Sequence, residues 1–163
     1  MECQRNRGNI LPFAFVPRYK IFSRSKRAHN HHSNHMEIRS VLTSGAPTPA
    51  GHYSQAIVHN GLVYVAGQLP IDPASGEKKL GPIEEQAEQV LANIRAILQA
   101  AGSDLSRVLK MTVYISDISL WGKVNEVYTR KLGDHRPARA IVPVNELHYG
   151  FQIEIEAIAA LNE

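Results

Sequence analysis

An apolar stripe of helical period between Pro82 and Gly102 limits the folds open to this chain. Its members recur every three or four residues, and they are Ile83, Ala87, Val90, Leu91, Ile94, Ile97, Leu98 and Ala101. Pro82 suits the first turn of a helix, and Gly102 is typical of the position just past its end. Since only one side of this predicted helix is apolar, that side must pack on a second layer of structure.

The second layer is predicted to be a β-sheet, because the segments around the helix carry apolar residues at strand spacing. Asn60-Gly61, between two apolar runs, is the strongest short signal for a β-hairpin. A second helix is expected from about Ser119 to Leu132. The predicted strands are residues 37–44, the two arms of the hairpin within 55–67, and residues 108–116, 138–144 and 151–159.

The order of these elements predicts an α+β fold in which two helices cover one face of a mixed sheet. The strand at 108–116 has apolar residues at its odd positions, namely Leu109, Met111, Val113 and Ile115. The uncovered face would carry residues such as Tyr114 and Ile141 among polar neighbours. Such a face favours a subunit interface, and hence a homo-oligomer, over scattered surface hydrophobic residues.

Charge divides the 163-residue chain into two unlike parts. Residues 1–35 hold seven Lys or Arg against one acid and predict a disordered basic extension without a catalytic role. Residues 36–163 hold the other 11 basic and 14 acidic residues, hence a net charge of −3, and predict one folded domain. This acidic domain argues against nucleic-acid binding, which needs a clustered basic surface.

The extension has two further interpretations. Few acids combined with Arg and Ser fit a targeting peptide, and four histidines form a weak metal-binding tract, His29, His31, His32 and His35. Cys3 is the single cysteine of the sequence, which excludes an intrachain disulfide and fits a reducing compartment such as the cytoplasm. No run of about 18 apolar residues predicts a membrane-spanning helix.

The strongest candidate for chemistry is Arg139, a permanent cation within an apolar strand. In residues 151–159, the strand period puts Glu154 and Glu156 on one face. Because strands consecutive in sequence often pair, a salt bridge between Arg139 and one of these glutamates is expected. It is either an exposed ion pair without function, or a guanidinium that holds an acidic small molecule while a glutamate handles a proton.

Other candidate residues carry their own alternatives. Tyr53 lies in a Pro/Gly-rich loop, where its phenol either lines a pocket or has no function. Asn125 falls between positions of the second helix's apolar stripe, and a structural role is favoured over binding. Three histidines have no metal-ligand spacing and are interpreted as lone surface residues, His52, His135 and His148. The glycines form neither a P-loop nor a dinucleotide-binding motif.

Six motifs together resemble the YjgF/RidA family of reactive-intermediate deaminases. They are, in order, GHYSQA, VYVAGQLPIDPASGE, QAEQVLANIRAILQAAGSDLSRVLKMTVYISD, NEVY, PARAIVPV and IEIEAIA. The resemblance covers nearly all of residues 36–163. It implies a chorismate-mutase-like α+β fold and a homotrimer, whose three sheets form a central barrel with three clefts between the subunits.

The resemblance also implies a reaction. This reaction is the hydrolysis of 2-imino or enamine acids, such as 2-aminoacrylate, 2-iminopropanoate and 2-iminobutanoate, to 2-keto acids and ammonia without a cofactor of the protein's own. Arg139 matches the arginine that binds the substrate carboxylate, and Glu154 matches the acidic residue associated with the water. Tyr53 matches a cleft tyrosine, Gly67 a cleft backbone position, and Asn125 a recurrent structural or pocket residue.

Three features differ from the family pattern and bear on substrate range. His52 replaces the usual proline before the tyrosine, Ala66 stands where many members have a serine, and the segment between NEVY and PAR is short. Two other functions stay open at this point. One is a non-catalytic binder of small carboxylates, in which Glu154 does no chemistry. The other is an endoribonuclease or translation inhibitor, against which the acidic domain counts.

Overall fold

The structure, a computed structural model, describes residues 37–162. The predictions for the basic extension and its histidine tract lie outside the described residues. Short 3₁₀ turns precede three of the elements. The strands and helices are β1 Arg39–Val41, β2 Ala56–His59, β3 Leu62–Gln68, α1 Ile83–Ala101, β4 Val108–Ile115, α2 Trp121–Leu132, β5 Ala138–Pro143 and β6 Ile153–Ala160.

All six strands form one mixed sheet in the order β1-β2-β3-β6-β4-β5. β4 and β5 run parallel, and the other neighbouring strands are antiparallel. The predicted α+β architecture of a mixed sheet with two helices is therefore confirmed. β6 lies between β3 and β4, so that β5 forms an edge of the sheet and does not pair with the strand that follows it in sequence.

The predicted hairpin turn and the predicted end of α1 both occur where the sequence carries residues that tolerate left-handed backbone. Asn60 and Gly61 have φ values of 52° and 76° and close the β2–β3 hairpin. Gly102, with φ 91°, ends α1 as predicted, and its N–H donates to the carbonyl of Gln99 at 3.1 Å. These local signals set the lengths of the elements that carry the site.

The hydrophobic core lies between the helices and one face of the sheet. Every residue of the stripe predicted for α1 is buried, and α2 adds Val124, Val127 and Tyr128. The facing strands contribute their alternate residues, chiefly Val63, Val65, Met111, Val113, Ile115, Ile153, Ile155, Ala157 and Ala159. Full burial of each large aliphatic side chain contributes about 1.5–3 kcal/mol. The sheet is thus a rigid platform for side chains on its other face.

The predicted alternation in β4 fails at its first residues. Val108 is buried, whereas Leu109 is 50% exposed. The pairing of β4 with β6 shifts between Val108 and Lys110, which is the signature of a β-bulge. The His135 ring nitrogen Nε2 donates to the Val108 carbonyl at 2.7 Å, next to this irregularity. From Met111 onward buried and more exposed residues alternate as predicted, because the bulge accommodates the one extra residue of β4.

The prediction that Ile141 lies on the uncovered face is wrong. Ile141 pairs with Val113 across the parallel β4–β5 ladder and packs against the core. Val142 points the other way, where it lies beside Tyr114. The physical reason is the strand period of two, which puts Arg139 and Ile141 on the same, helix-covered side.

The uncovered face combines apolar and charged side chains. Tyr64 is 41% exposed and Val142 is 37% exposed. Between them the strands present Lys110, Thr112, Tyr114, Glu154, Glu156 and Ile158. Within residues 37–162, neither helix has the length and apolar character that crossing a bilayer requires.

Candidate active site

A cavity of about 480 Å³ lies where the end of β3 meets β6 and the neighbouring loops. We call it the Glu154 cavity, because Glu154 is the one carboxylate among its lining residues. The other residues of its wall include Pro47, Thr48, Tyr53, Ala66, Gly67, Gln68, Ile71, His148 and Tyr149. Three residues matched to the family's cleft by resemblance, Tyr53, Gly67 and Glu154, thus lie around one cavity.

Glu154 extends from β6 onto the backbone of Gly67. A Cβ atom on Gly67 would overlap Oε1 of Glu154 and would stand 3.0 Å from its Cδ. The pairing of β3 with β6 is irregular between Val65 and Gln68, so the chain bulges at this point. Gly67 leaves this space to the carboxylate, which an added Cβ would displace.

Burial is the main influence on the protonation of the Glu154 carboxylate. Burial raises the pKa of its carboxyl above the ordinary value of 4.5, the nearby His148 opposes that rise, and Glu156 adds to it. Within residues 37–162, no lysine or arginine forms an ion pair with Glu154. A carboxyl that is easier to protonate than usual, in a cleft, is suited to proton transfer.

The turn before β6 brings His148 and Tyr149 to the cavity, and the sequence analysis does not place either residue there. His148, interpreted from sequence as a lone surface histidine, lines the cavity beside Glu154. Tyr149 adopts a left-handed backbone with φ 60° and ψ 14°, which is uncommon for an aromatic residue. Its ring lies edge-on to the buried Phe151 at 5.9 Å, and Lys78 Nζ lies 4.7 Å from its centroid. Gly150, a residue that favours turns, is the feature of the sequence that indicates a turn at this point.

Gln55 anchors the loop that carries the opposite wall. Its amide is buried and donates to the carbonyls of Thr43, Ala46 and Pro47 at 2.9–3.1 Å, while Oε1 accepts from the Thr43 N–H at 2.7 Å. These four bonds hold the loop against β2. Tyr53 lies at the end of this loop, half exposed, and its hydroxyl accepts from the Ala50 N–H at 3.3 Å.

Arg139 belongs to a second group of residues, which we call the Arg139 cluster. Its Nη2 donates to Oδ1 of Asn125 at 2.9 Å. Its guanidinium carbon lies 4.9 Å from the ring centroid of Tyr128 and 5.9 Å from that of Trp121. Asn125, predicted as a structural or pocket residue, is therefore the side chain that orients the arginine.

No carboxylate neutralises Arg139 within the described residues. Other arginines of the chain do have such partners, since Arg130 lies 3.0 Å from Glu88 and Arg95 lies 3.7 Å from Asp104. Burial raises the pKa of the Tyr128 phenol, and the adjacent guanidinium opposes that rise. Neutral groups therefore orient the Arg139 guanidinium, which is half-buried on the edge strand β5.

The predicted salt bridge from Arg139 to Glu154 or Glu156 is wrong within one chain. β4 pairs with both β5 and β6 and separates them, with Arg139 opposite Met111 and Glu154 opposite Tyr114. Met111 points to the helix-covered face of the sheet and Tyr114 to the uncovered face. Arg139 therefore lies on the helix-covered face, and both glutamates lie on the uncovered face.

The cavity beside Arg139, about 470 Å³, shares no lining residue with the Glu154 cavity.

The two remaining candidate histidines lie in different surroundings. His52 is exposed, and His135 forms a hydrogen bond to the Val108 carbonyl. Within residues 37–162, no three or more side chains of His, Cys, Asp or Glu converge as metal ligands would.

The comparisons with known proteins agree with this architecture. A family model described as Endoribonuclease L-PSP matches residues 43–161. A 2-iminobutanoate/2-iminopropanoate deaminase of Rattus norvegicus is 46% identical over 123 residues, which span 75% of this chain and 90% of that protein.

Two solved structures are similar in fold and in sequence. One is RidA from an Antarctic Psychrobacter species, with a TM-score of 0.73 and 41% identity over 76% of this chain and 99% of that one. The other is Escherichia coli TdcF with bound serine, with a TM-score of 0.73 and 35% identity over 76% of this chain and 99% of that one. Both likenesses extend over nearly the whole of the smaller chains.

Proposed function

Since the chain belongs to the YjgF/RidA family, whose family model is described as Endoribonuclease L-PSP, we propose that it hydrolyses 2-imino and enamine acids to 2-keto acids and ammonia. The observation that carries this proposal is the Glu154 carboxylate, which lies above Gly67 in the Glu154 cavity, without a lysine or arginine partner and with a raised pKa. The name of the rat relative and the serine bound in the TdcF structure support a small amino-acid-like ligand.

Arg139 is the proposed receptor for the substrate carboxylate. A guanidinium presents two parallel N–H donors that match a carboxylate, and here its orientation is set by Asn125 and Tyr128. The arginine selects acids over neutral imines. At about 4 Å and an effective dielectric constant near 20, such a charge pair contributes about 4 kcal/mol before desolvation.

The two halves of this site lie on opposite faces of the sheet, so the proposal requires two chains. One copy contributes Glu154, Tyr53 and Gly67, and a neighbouring copy contributes Arg139 from its edge strand β5. The partly apolar uncovered face, with Tyr64 and Val142 exposed, supplies a surface for such an association. The proposed assembly is the homotrimer implied by the family resemblance, with a cleft at each seam.

The proposed chemistry is addition of water followed by loss of ammonia. Water oxygen bonds to C2 of the iminium, and Glu154 as carboxylate takes a proton from that water. The same proton then passes to the nitrogen. The Glu154 carboxylate next takes the hydroxyl proton as the C2–O double bond forms, and the C2–N bond breaks with its electron pair leaving on ammonia. Ammonia takes up that proton, and the products are a 2-keto acid and ammonium. An enamine first becomes the imine by protonation at C3. No cofactor takes part in these steps.

A coupled assay tests the reaction. A serine or threonine dehydratase generates the imine in solution, and keto-acid formation is followed with and without the purified protein. We expect faster keto-acid release in proportion to the protein concentration, and the same acceleration from Arg95→Gln, a surface control. If the imine decays at its spontaneous rate in all samples, the deaminase proposal is wrong and the carboxylate-binder alternative is favoured.

A mixing experiment tests the shared site. Arg139→Ala and Glu154→Gln variants each keep about a hundredth of the activity or less in the proposal, but co-refolding them in equal amounts creates seams with one intact residue from each chain. About one seam in four then carries both, because half receive an intact arginine and half of those an intact glutamate. Recovery of about a quarter of the wild-type activity supports a site that two chains share. No recovery, with both variants assembled, contradicts it.

The family model's description favours RNA cleavage as a second candidate. The net acidic charge of residues 36–163 opposes binding of a polyanion. Incubating the purified protein with single-stranded RNA in chelator separates the two candidates. Cleavage that Glu154→Gln leaves unchanged, without imine turnover, would replace the deaminase proposal.

A further inference from the structure

The cavity beside Arg139 is lined by two arginines and by no acidic residue. The arginines are Arg136 and Arg139, and His135 also lines the cavity. Its remaining polar wall consists of neutral groups, Asn125 among them. Within the part of the chain that the structure describes, neither Arg136 nor Arg139 forms an ion pair. Two uncompensated guanidinium groups around one cavity attract more than one negative charge.

The two arginines are held in different ways. Arg139 is half-buried and fixed by Asn125 and Tyr128, as described above. Arg136 is exposed and lies three residues earlier, with Pro137 between them to restrict the backbone. Arg139 is therefore suited to a fixed carboxylate, whereas Arg136 can reach a second anionic group at a variable distance.

We propose that Arg136 is a specificity-determining residue that admits 2-imino dicarboxylates, the imines of acidic amino acids, to the site. This inference rests on the deaminase function proposed above. The carboxylate next to the imine carbon binds Arg139, and the second carboxylate of the side chain lies near Arg136. A monocarboxylate such as 2-iminopropanoate has no second carboxylate that could bind Arg136.

The size of the effect follows from exposure. A charge pair that remains partly in water is worth far less than a buried one, so Arg136→Gln should lower the preference for the dicarboxylate about fivefold. The loss should appear chiefly in KM, since the second carboxylate lies away from the reacting carbon. Added salt should reduce the preference of the wild type as well, because exposed charges are screened.

The experiment compares two imines on the same proteins. Amino-acid oxidases generate 2-iminopropanoate from alanine and 2-iminoglutarate from glutamate, and semicarbazide traps the imine that escapes hydrolysis. We measure kcat/KM for both substrates with wild type, Arg136→Gln and the control Arg95→Gln. The expected result is a fivefold fall in the dicarboxylate-to-monocarboxylate ratio for Arg136→Gln only, with the control at the wild-type ratio.

The possible failures are distinguishable. Hydrolysis of 2-iminopropanoate without hydrolysis of 2-iminoglutarate overturns the inference and leaves the deaminase proposal intact. An unchanged ratio in Arg136→Gln also overturns the inference. Absence of hydrolysis of either imine by the wild type overturns both. Calorimetric binding of 2-ketoglutarate and 2-ketobutanoate gives a second measure, in which Arg136→Gln should weaken only the ketoglutarate.

Discussion

The Arg139 cluster and the Glu154 cavity hold opposite charges by opposite means. Arg139 is oriented by a 2.9 Å hydrogen bond to Asn125 and by the face of Tyr128. Glu154 has no comparable partner, and burial beside Gly67 raises the pKa of its carboxyl. A group that binds an ion needs a fixed position, whereas a group that exchanges protons needs a pKa close to working conditions. The difference between the two regions therefore matches a division of labour between binding and chemistry.

The largest effect should come from removing the fixed charge. We expect Arg139→Ala to lower kcat/KM for 2-iminopropanoate by a hundredfold or more, because about 4 kcal/mol of attraction is lost before desolvation is counted. Arg139→Lys should retain only part of the activity, since an ammonium lacks the planar fork. Steady-state kinetics measures both, and circular dichroism checks the fold. Near-normal kcat/KM in a folded Arg139→Ala protein would place the substrate carboxylate elsewhere.

Removing the proton-exchanging group should come next. Glu154→Gln should lower kcat by about a hundredfold with little change in KM. In the wild type, activity should fall as pH drops through a carboxyl pKa above 4.5, because the proposed base is the carboxylate. This acidic limb should disappear from the residual activity of Glu154→Gln. A limb that persists belongs to another group, such as the substrate.

A change in the backbone beneath Glu154 should have a smaller effect. The Cβ of Gly67→Ala would occupy the space of the carboxylate, so Glu154 must turn away and kcat should fall about tenfold. Gly122→Ala is the matched control, since nothing lies within 4 Å of its added Cβ. The control should keep full activity and gain up to about 1 kcal/mol of stability in α2. Equal activity in both variants would show that Glu154 is displaced without consequence.

Substitutions of Asn125 test separately whether substrate binding depends on the orientation of Arg139 and on its uncompensated charge. Asn125→Ala removes the hydrogen bond to Arg139 and should raise KM about threefold, the value of one hydrogen bond. Asn125→Asp keeps an acceptor there but adds a carboxylate that competes with the substrate, so its KM should rise further. Inhibition by 2-ketobutanoate should weaken in the same order. If the aspartate variant binds as well as the wild type, Arg139 is not the anion receptor.

The smallest expected effect is on stability. Because burial raises the pKa of Glu154 in the folded protein, folding favours the protonated form, and this stabilisation is complete only below the unfolded pKa. It is lost as pH rises through the folded pKa, so the ionised carboxylate disfavours folding at neutral pH. Glu154→Gln should therefore unfold at a slightly higher temperature than the wild type at pH 7.5. At pH 4 the two should be closer, and a reversed order would contradict the raised pKa.

Much of the fold could be predicted from local patterns. The helical stripe, the Asn60-Gly61 turn and the strand alternations identify every helix and strand of residues 37–162, because each depends on spacing within a few residues. The deviations also have local physical causes. The bulge at Val108–Lys110 reverses the expected exposure of Leu109, and a bulge adds one residue that alternation does not anticipate.

The candidate site was only partly predictable. The sequence pattern singles out Arg139, Glu154, Tyr53 and Asn125 as candidates, and the resemblance to a family adds Gly67 and assigns a role to each of them. The contributions of His148 and Tyr149 were not predicted, because they depend on a left-handed turn that brings the loop before β6 over the cavity.

The sequence by itself determined the secondary elements, the helix-covered core, and which residues alternate to each face of a strand. Only the tertiary structure decided that β6 lies between β3 and β4, which puts Arg139 and Glu154 on opposite sides of one sheet. The reason is that side-chain alternation is a property of a single strand, whereas strand order follows from contacts between residues far apart in the chain.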